Sequence, residues 1–431
     1  MTPGDPRGRS RHMKHTTRTV AFATSGALAL TLSACGGSGF EDTGGGEGGD
    51  AQAPASAEGP VTLQMLIASS GDAETQAVEE AASAWAEESG NEVEVTVASD
   101  MGQELAQGFA GGSPADVFYL DAAAFATNAE AGNLYPYEAE DNDDFYEPLR
   151  EAFTYEDEQY CAPKDFSTLG LVINQTMWEE AGLTEDDIPQ TYDELAQVAE
   201  TLATDDITGL VLSPGIDRAG AFVVGSGGWW MNEDNTEPTA DTPEVIAGLQ
   251  VVQDMISSGS AALSSQVDTG WGGEALGTGR AAMTIEGNWI KGAMSNDYPD
   301  VDYTVAELPE GPAGPGTLLF TQCWGVAAQS DAQAQAVELV NHLTSADQQM
   351  AFADAFGVMP SRQSVSEDYT EAYPEDAAFI AGGDYGHGPI NVPGIADVVA
   401  DLNSQLEDIG SADLEAVVQS FDTNAEAVLG E

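Results

Sequence analysis

The side chains here with the most specific chemical promise are tryptophans set beside glycines and acids set beside short apolar runs. Gly287-Asn288 breaks the apolar run that ends near Ile285 and sends Trp289 into a loop. A flat aromatic in a loop can cover the apolar C–H face of a pyranose at little entropic cost. Trp271 opens the helical segment before that strand and is a second such ring. Trp85 falls on a helix face and is expected in the core, and Trp229-Trp230, after Gly227-Gly228, are expected to pack. Carboxylates accept charge-assisted hydrogen bonds from vicinal hydroxyls. The chain carries 74 Asp and Glu, so position and not residue type must single any of them out.

Hydrolytic and nucleotide chemistry lack their motifs. There is no Gly-x-Ser-x-Gly, no His-Glu-x-x-His and no Walker loop, and two of the four histidines fall before residue 35. No Asp-x-Asp-x-Asp-Gly loop suggests calcium. Neither a metal nor a cofactor is expected, and the sequence reads as a binding protein and not an enzyme.

The elements that would position these groups follow from periodicity. Strands are expected at 61–67, 92–98, 116–120, 170–173, 282–285, 303–306 and 323–327. Helices fit 73–88, 102–110, 191–203, 243–258, 331–344 and 396–408. The opening β-α-β-α-β order argues a mainly parallel sheet covered by helices. Such sheets bind ligands beyond the carboxyl ends of their strands, which singles out Asp72, Asp100 and Asp121 in the post-strand loops.

Charge and cysteine usage place the chain. Net charge is −63, and of 11 basic residues, five (Arg7, Arg9, Arg11, Lys14, Arg18) precede Cys35. The acid is spread along the chain and reads as a solvated surface adapted to a salty exterior. Nucleic acid is excluded as a partner, because nothing here displaces phosphate counterions. Lys14 and Arg18 followed by the uncharged stretch from Val20 to Leu32 read as a secretory signal, with Met13 a candidate start. Leu32-Ser33-Ala34-Cys35 resembles a bacterial lipobox, giving residues 1–34 as signal peptide and Cys35 as the lipidation site. Residues 35–59, rich in Gly, Ala, Ser and acid, read as a flexible linker. In an oxidising exterior Cys161 and Cys323 suggest one disulfide, the alternative being two separate buried thiols.

Four segments together resemble the maltose-binding-protein family, the family 1 extracellular solute-binding proteins. They are Ala115 to Asp121 with Ala131-Gly132-Asn133-Leu134; Tyr160 to Asn174 followed by Trp178 to Leu183 and Pro189 to Leu195; Gly279 to Trp289; and Met359-Pro360-Ser361-Arg362. Their order covers roughly residues 60–430. The resemblance implies an α/β fold of two lobes, of the periplasmic-binding-protein type II kind, each a mainly parallel sheet flanked by helices, with a hinge between. One lobe would hold 60–165 and 312–361, the other 169–308 and 362–431, and Pro163 to Thr168 would be the first crossing.

By that resemblance Trp289 stacks on a sugar ring, and Asp72, Asp100, Asp121, Asp165 and Glu286 fall where polar ligand contacts are made. Asp217, Arg218, Trp271, Trp324 near a hinge, Tyr385 and Asn391 complete the candidate ligand-binding set, the last two in a loop that could reach the cleft. Lys164 and Arg218 could bond ligand or hold a cleft acid, whereas Arg280 and Arg362 read as structural salt bridges. Leu120, where maltose binders can carry an aromatic, and the absence of a lysine after the first strand point to a glycan other than maltose. The resemblance further implies a lipid-anchored monomer on the outer face of a bacterial membrane. It would deliver a sugar or oligosaccharide to the permease of an ABC importer with a separate ATPase. The alternatives are a polyamine or peptide ligand and, behind these, a secreted glycan-active enzyme.

Overall fold

The computed structural model describes residues 54–57, 59–69 and 71–430. The signal segment, Cys35 and most of the linker lie outside the described residues. Residues 53–431 form one compact unit.

The strands are β1 Thr62–Ile67, β2 Glu92–Val97, β3 Val117–Asp121, β4 Thr154–Tyr155, β5 Glu158–Gln159, β6 Cys161–Asn174, β7 Thr208–Leu212, β8 Ala261–Leu263, β9 Ala281–Gly287, β10 Tyr303–Ala306, β11 Leu319–Val326 and β12 Met359–Pro360. The seven expected strands are present. The sequence reading missed β7, whose Gly-Leu-Val-Leu run is too short to separate from a helix fragment by periodicity. It also missed the helices Ile216–Gly225 and Leu414–Leu429.

The main sheet path runs β2-β1-β3-β11-β6-β9-β7-β8, and β4 pairs only with β5. The 14-residue strand β6 holds the molecule together. Its first half pairs antiparallel with β11 and β12, and its second half pairs antiparallel with β9 and β10. Pro163 cannot donate to a ladder, and it sits where the β6–β11 register slips between Gln322 and Cys323.

Each half-sheet has its own core. In the first lobe the helices Asp72–Ser89 and Gln333–Leu343 pack on one face around Val78, Trp85, Tyr119, Trp324 and Leu339. The helices Met101–Gly111 and Ala122–Glu130 cover the other through Leu105, Phe109 and Phe125. The second lobe gathers a larger core around β7 and β9, closed by the helices Tyr192–Leu202, Ile216–Gly225, Pro243–Ser258, Ala396–Leu406 and Leu414–Leu429. Trp85 and Trp230 are buried in these cores, and Trp229 lies half-buried against His387, ring centroids 4.0 Å apart.

The short helices between Ser366 and Ala381 sit with neither lobe alone. Tyr369, Phe379 and Ile380 share a cluster with Tyr146, Phe166 and Met359 from the first half and Val172, Leu276 and Ile290 from the second. Cys161 and Cys323, on neighbouring strands, are joined as a disulfide with Cα atoms 5.6 Å apart.

Candidate functional site

The register of β6 locates the cleft. On one side, Asp165 pairs with Gln322, which pairs in turn with Asp121 at the carboxyl end of β3. On the other, Leu169 pairs with Gly287 at the carboxyl end of β9, alongside which β7 runs parallel. The carboxyl ends of both half-sheets therefore meet across residues 165–169. This is where an open α/β sheet places its ligand site.

The wall from the second lobe is built around Trp289. It is 40% exposed, and among the described residues only Val97 and Leu429 are other large apolar side chains so open to solvent, at 45% and 38%. Its loop position follows from Gly287: a Cβ there would lie 2.2 Å from the indole, so the ring folds back over bare backbone. The indole Nε1 donates to Glu286 Oε2 at 3.0 Å. Arg218 Nη2 donates to the same oxygen at 2.5 Å, and Ser213 Oγ donates to Glu286 Oε1 at 3.2 Å. Arg218 is fixed in turn, Nε donating to the Ile285 carbonyl and Nη1 to that of Asp217. Its guanidinium carbon lies 5.5 Å from the Trp289 ring centroid, and Phe320 of β11 meets the ring edge-on at 5.1 Å. Gly272, beside Trp271, completes the enclosure. Its N–H donates to Ser213, and a Cβ on it would strike Thr284 Oγ1 at 2.1 Å and Glu286 Oε1 at 2.8 Å.

The wall from the first lobe centres on Lys164. Its ammonium contacts Asp165, bonds Glu74 Oε1 at 3.3 Å, and sits 4.6 Å from the Tyr119 ring centroid. Tyr119 donates its own hydroxyl to Glu74 Oε1 at 3.1 Å. Burial works against the ammonium charge, but the adjacent Asp165, Tyr119 and Glu74 more than offset it and raise the Lys164 pKa. Asp165 is the member whose carboxylate stays partly exposed, whereas Lys164 and Glu74 are buried.

The loop after β9 ties the walls together. Asn288 N–H donates to Ser167 Oγ in the crossing segment at 3.0 Å. Its side-chain amide donates to the Gly357 carbonyl of the first lobe at 3.2 Å.

The sequence-derived residues sort as follows. Trp289, Glu286 and Arg218 come together in one network around the Glu286 carboxylate. Glu286 is 0% exposed, and three donors occupy its oxygens. Trp271 caps the helix Gly272–Gly277 beside that network. Asp121 is exposed at the cleft rim, held by Gln322 Nε2 at 2.7 Å. Asp72 and Asp100 are exposed at the N-termini of their helices, and Asp100 Oδ1 caps Gln103 N–H at 2.9 Å. Asp217 is exposed on the first turn of Ile216–Gly225.

Trp324 lies apart from that network. It is 0% exposed in the first-lobe core, edge-on to Tyr119 at 4.7 Å, because it faces inward from β11. Tyr385 bonds within the second lobe and Asn391 across to the first. The Tyr385 hydroxyl donates to Glu307 at 2.9 Å, and the Asn391 amide to the Thr154 carbonyl at 3.1 Å. Arg362 packs inward on the carbonyls of Thr344, Asp141 and Glu140 as a structural residue, and Arg280 pairs at the surface with Asp268.

Sequence reasoning missed Ser213, Glu74, Asn288 and Phe320. Ser213 follows the missed strand β7, so assigning that strand would have exposed it. The other three carry no local signal, since their roles depend on partners far away in sequence. Among the described residues no group of three or more His, Cys, Asp or Glu is arranged to hold a metal ion.

A two-lobed α/β molecule with an exposed aromatic in an interlobe cleft defines a ligand-capturing protein. The chain belongs to the bacterial extracellular solute-binding proteins, whose family profile matches residues 80–381. It is 23% identical over 292 residues to the diacetylchitobiose binding protein DasA of Streptomyces coelicolor, covering 65% of this chain and 68% of that protein. The fold is similar to the GacH receptor of Streptomyces glaucescens, solved unliganded and with acarbose (TM-score 0.74, 21% identity, 87% of this chain and 100% of that one). It is also similar to the cyclic alpha-maltosyl-1,6-maltose binding protein of Arthrobacter globiformis (TM-score 0.76, 21% identity, 86% of this chain and 99% of that one). Among the described residues no helix is long and apolar enough to cross a membrane.

Proposed function

We propose that this chain is the substrate-binding component of an ABC importer and that it captures a sugar or oligosaccharide by closure of its two lobes. The observation that carries this reading is the Trp289 platform. One half-exposed ring stands at the cleft on a frame whose buried charges are paired. An uncharged polyol matches that arrangement, with its C–H face on the indole and its hydroxyls on partly exposed acceptors such as Asp165 and Asp121. The relatives named for diacetylchitobiose, acarbose and a cyclic maltosyl-maltose support the same ligand class.

A polyamine would favour buried carboxylates without basic partners. Glu286 faces Arg218, and Glu74 and Asp165 face Lys164, so these three offer a cation little. The moving units are 60–165 with 312–361, and 169–308 with 362–431. The chain acts as a binding protein without catalysis. A monomer anchored through lipid on Cys35, it passes ligand outside the cell to a permease served by a separate ATPase.

The test is a thermal-shift screen in high salt against mono-, di- and oligosaccharides, polyamines and short peptides. A ligand that binds only the folded state raises the midpoint by mass action. A shift with one glycan group is the expected result. A shift with polyamines or peptides and with no glycan would overturn the sugar reading.

A further inference from the structure

Glu286 and Arg218 stand in the cleft wall, yet their geometry directs their hydrogen bonds inward. Glu286 Oε2 receives both the Trp289 indole N–H and the Arg218 guanidinium, and Oε1 receives Ser213. Gly272 closes over Oε1 so tightly that a Cβ would not fit, which leaves no room for a ligand hydroxyl there. Arg218 commits three of its donors to Ile285, Asp217 and Glu286. It comes from a different element, the helix Ile216–Gly225, so the ring is braced from two directions. An exposed indole without such bracing samples several rotamers, and ligand binding must then bear the cost of ordering it.

We propose that Glu286 and Arg218 are positioning residues that pre-set the pose of the Trp289 indole through its Nε1–H and its ring face, without touching ligand themselves. This rests on the reading of Trp289 as the ligand platform. It predicts that affinity depends on the shape and hydrogen-bonding capacity at position 286 and not on the carboxylate charge. The amide of a Glu286→Gln variant can still accept from Nε1 and Arg218 through its oxygen while donating to Ser213.

The experiment uses the full-length chain in detergent and high salt, with 15N-labelled tryptophan. The Trp289 indole N–H resonance is assigned among the seven tryptophans by its loss in Trp289→Phe. In wild type this proton should be shifted downfield and exchange slowly with solvent. In Glu286→Ala it should move upfield and exchange faster, and affinity for whichever of maltotetraose and N,N′-diacetylchitobiose binds wild type should fall about tenfold or more. Glu286→Gln should keep the proton protected and recover affinity to within about threefold of wild type. An unchanged indole resonance in Glu286→Ala overturns the proposal. So does a Glu286→Gln variant that keeps the protected proton but loses affinity as fully as the alanine variant, since Glu286 would then be a direct contact. If Glu286→Ala does not fold, Glu286→Gln and Arg218→Lys decide. The lysine variant must shift the Trp289 resonance, and an unmoved resonance counts against the proposal. If wild type binds neither glycan, the sugar reading is what suffers, and the indole measurement still decides the positioning role.

Discussion

The two cleft walls each hold a buried base, paired with two acids in the first lobe and with one in the second, and use it differently. In the first lobe Lys164 is pinned between Glu74 and Asp165 against Tyr119, and the part that stays partly exposed is a carboxylate. In the second, Arg218 and Glu286 are sealed, and what they hold out is an aromatic ring. Under the proposed function, the second wall supplies the shape that a ligand meets and the first supplies a hydrogen-bond acceptor. The described residues contain only six bases, Arg150, Lys164, Arg218, Arg280, Lys291 and Arg362, and each pairs with an acid. Placing two of them here sets two positive charges against the three carboxylates of Glu74, Asp165 and Glu286, while the exterior stays anionic.

The largest effect should come from breaking the first-wall pair. Lys164→Met removes the base from buried Glu74 and part-buried Asp165 and should cost about 3–5 kcal/mol of stability in urea unfolding. A near-neutral result would mean that the first wall is not held by charge. The lobes also differ in covalent support, because only the first contains the Cys161–Cys323 bridge, closing a sequence separation of 162. Replacing both cysteines with serine should cost about 2–4 kcal/mol. By native-state hydrogen exchange the loss should appear in the first lobe and spare the core around β7 and β9. Uniform loss would show that the lobes unfold as one.

Trp289→Ala tests the second wall. Glycan affinity should fall by about 2 kcal/mol, roughly thirtyfold, with a smaller change in the unfolding midpoint than the first-wall variants, because the ring is 40% exposed. Unchanged affinity would move the platform elsewhere. The smallest effect concerns the junction. Burial against Trp229 pushes the His387 pKa below the ordinary 6.5. Between the folded value and about 6.5 the unfolded chain holds more protons, so stability should decline as pH falls through that window. Comparing urea midpoints at pH 7.5 and 5.5 for wild type and His387→Asn should show a shallower slope in the variant. Equal slopes would remove His387 from the junction's pH response.

Much of this was legible locally. The β-α-β-α-β opening, the seven strands and the Gly-Asn-Trp break follow from periodicity and glycine placement, which depend only on near neighbours. The short run 208–212 was not recognised as a strand, and with it went Ser213, whose importance lies in Gly272 and Glu286, 59 and 73 residues further on.

Composition and periodicity make the chain an acidic α/β protein with few bases and an aromatic thrown out of a strand beside an acid. What its polar groups do is set by long-range contacts. Glu286 became a brace because β9 turns its carboxylate toward Arg218 and the indole. Trp324 became core because the pleat of β11 turns it inward, and Lys164 found Glu74 across 90 residues. Residue type and periodicity are read along the chain, whereas whether a carboxylate meets water, a base or a ligand depends on which distant atoms folding brings within about 3 Å of it.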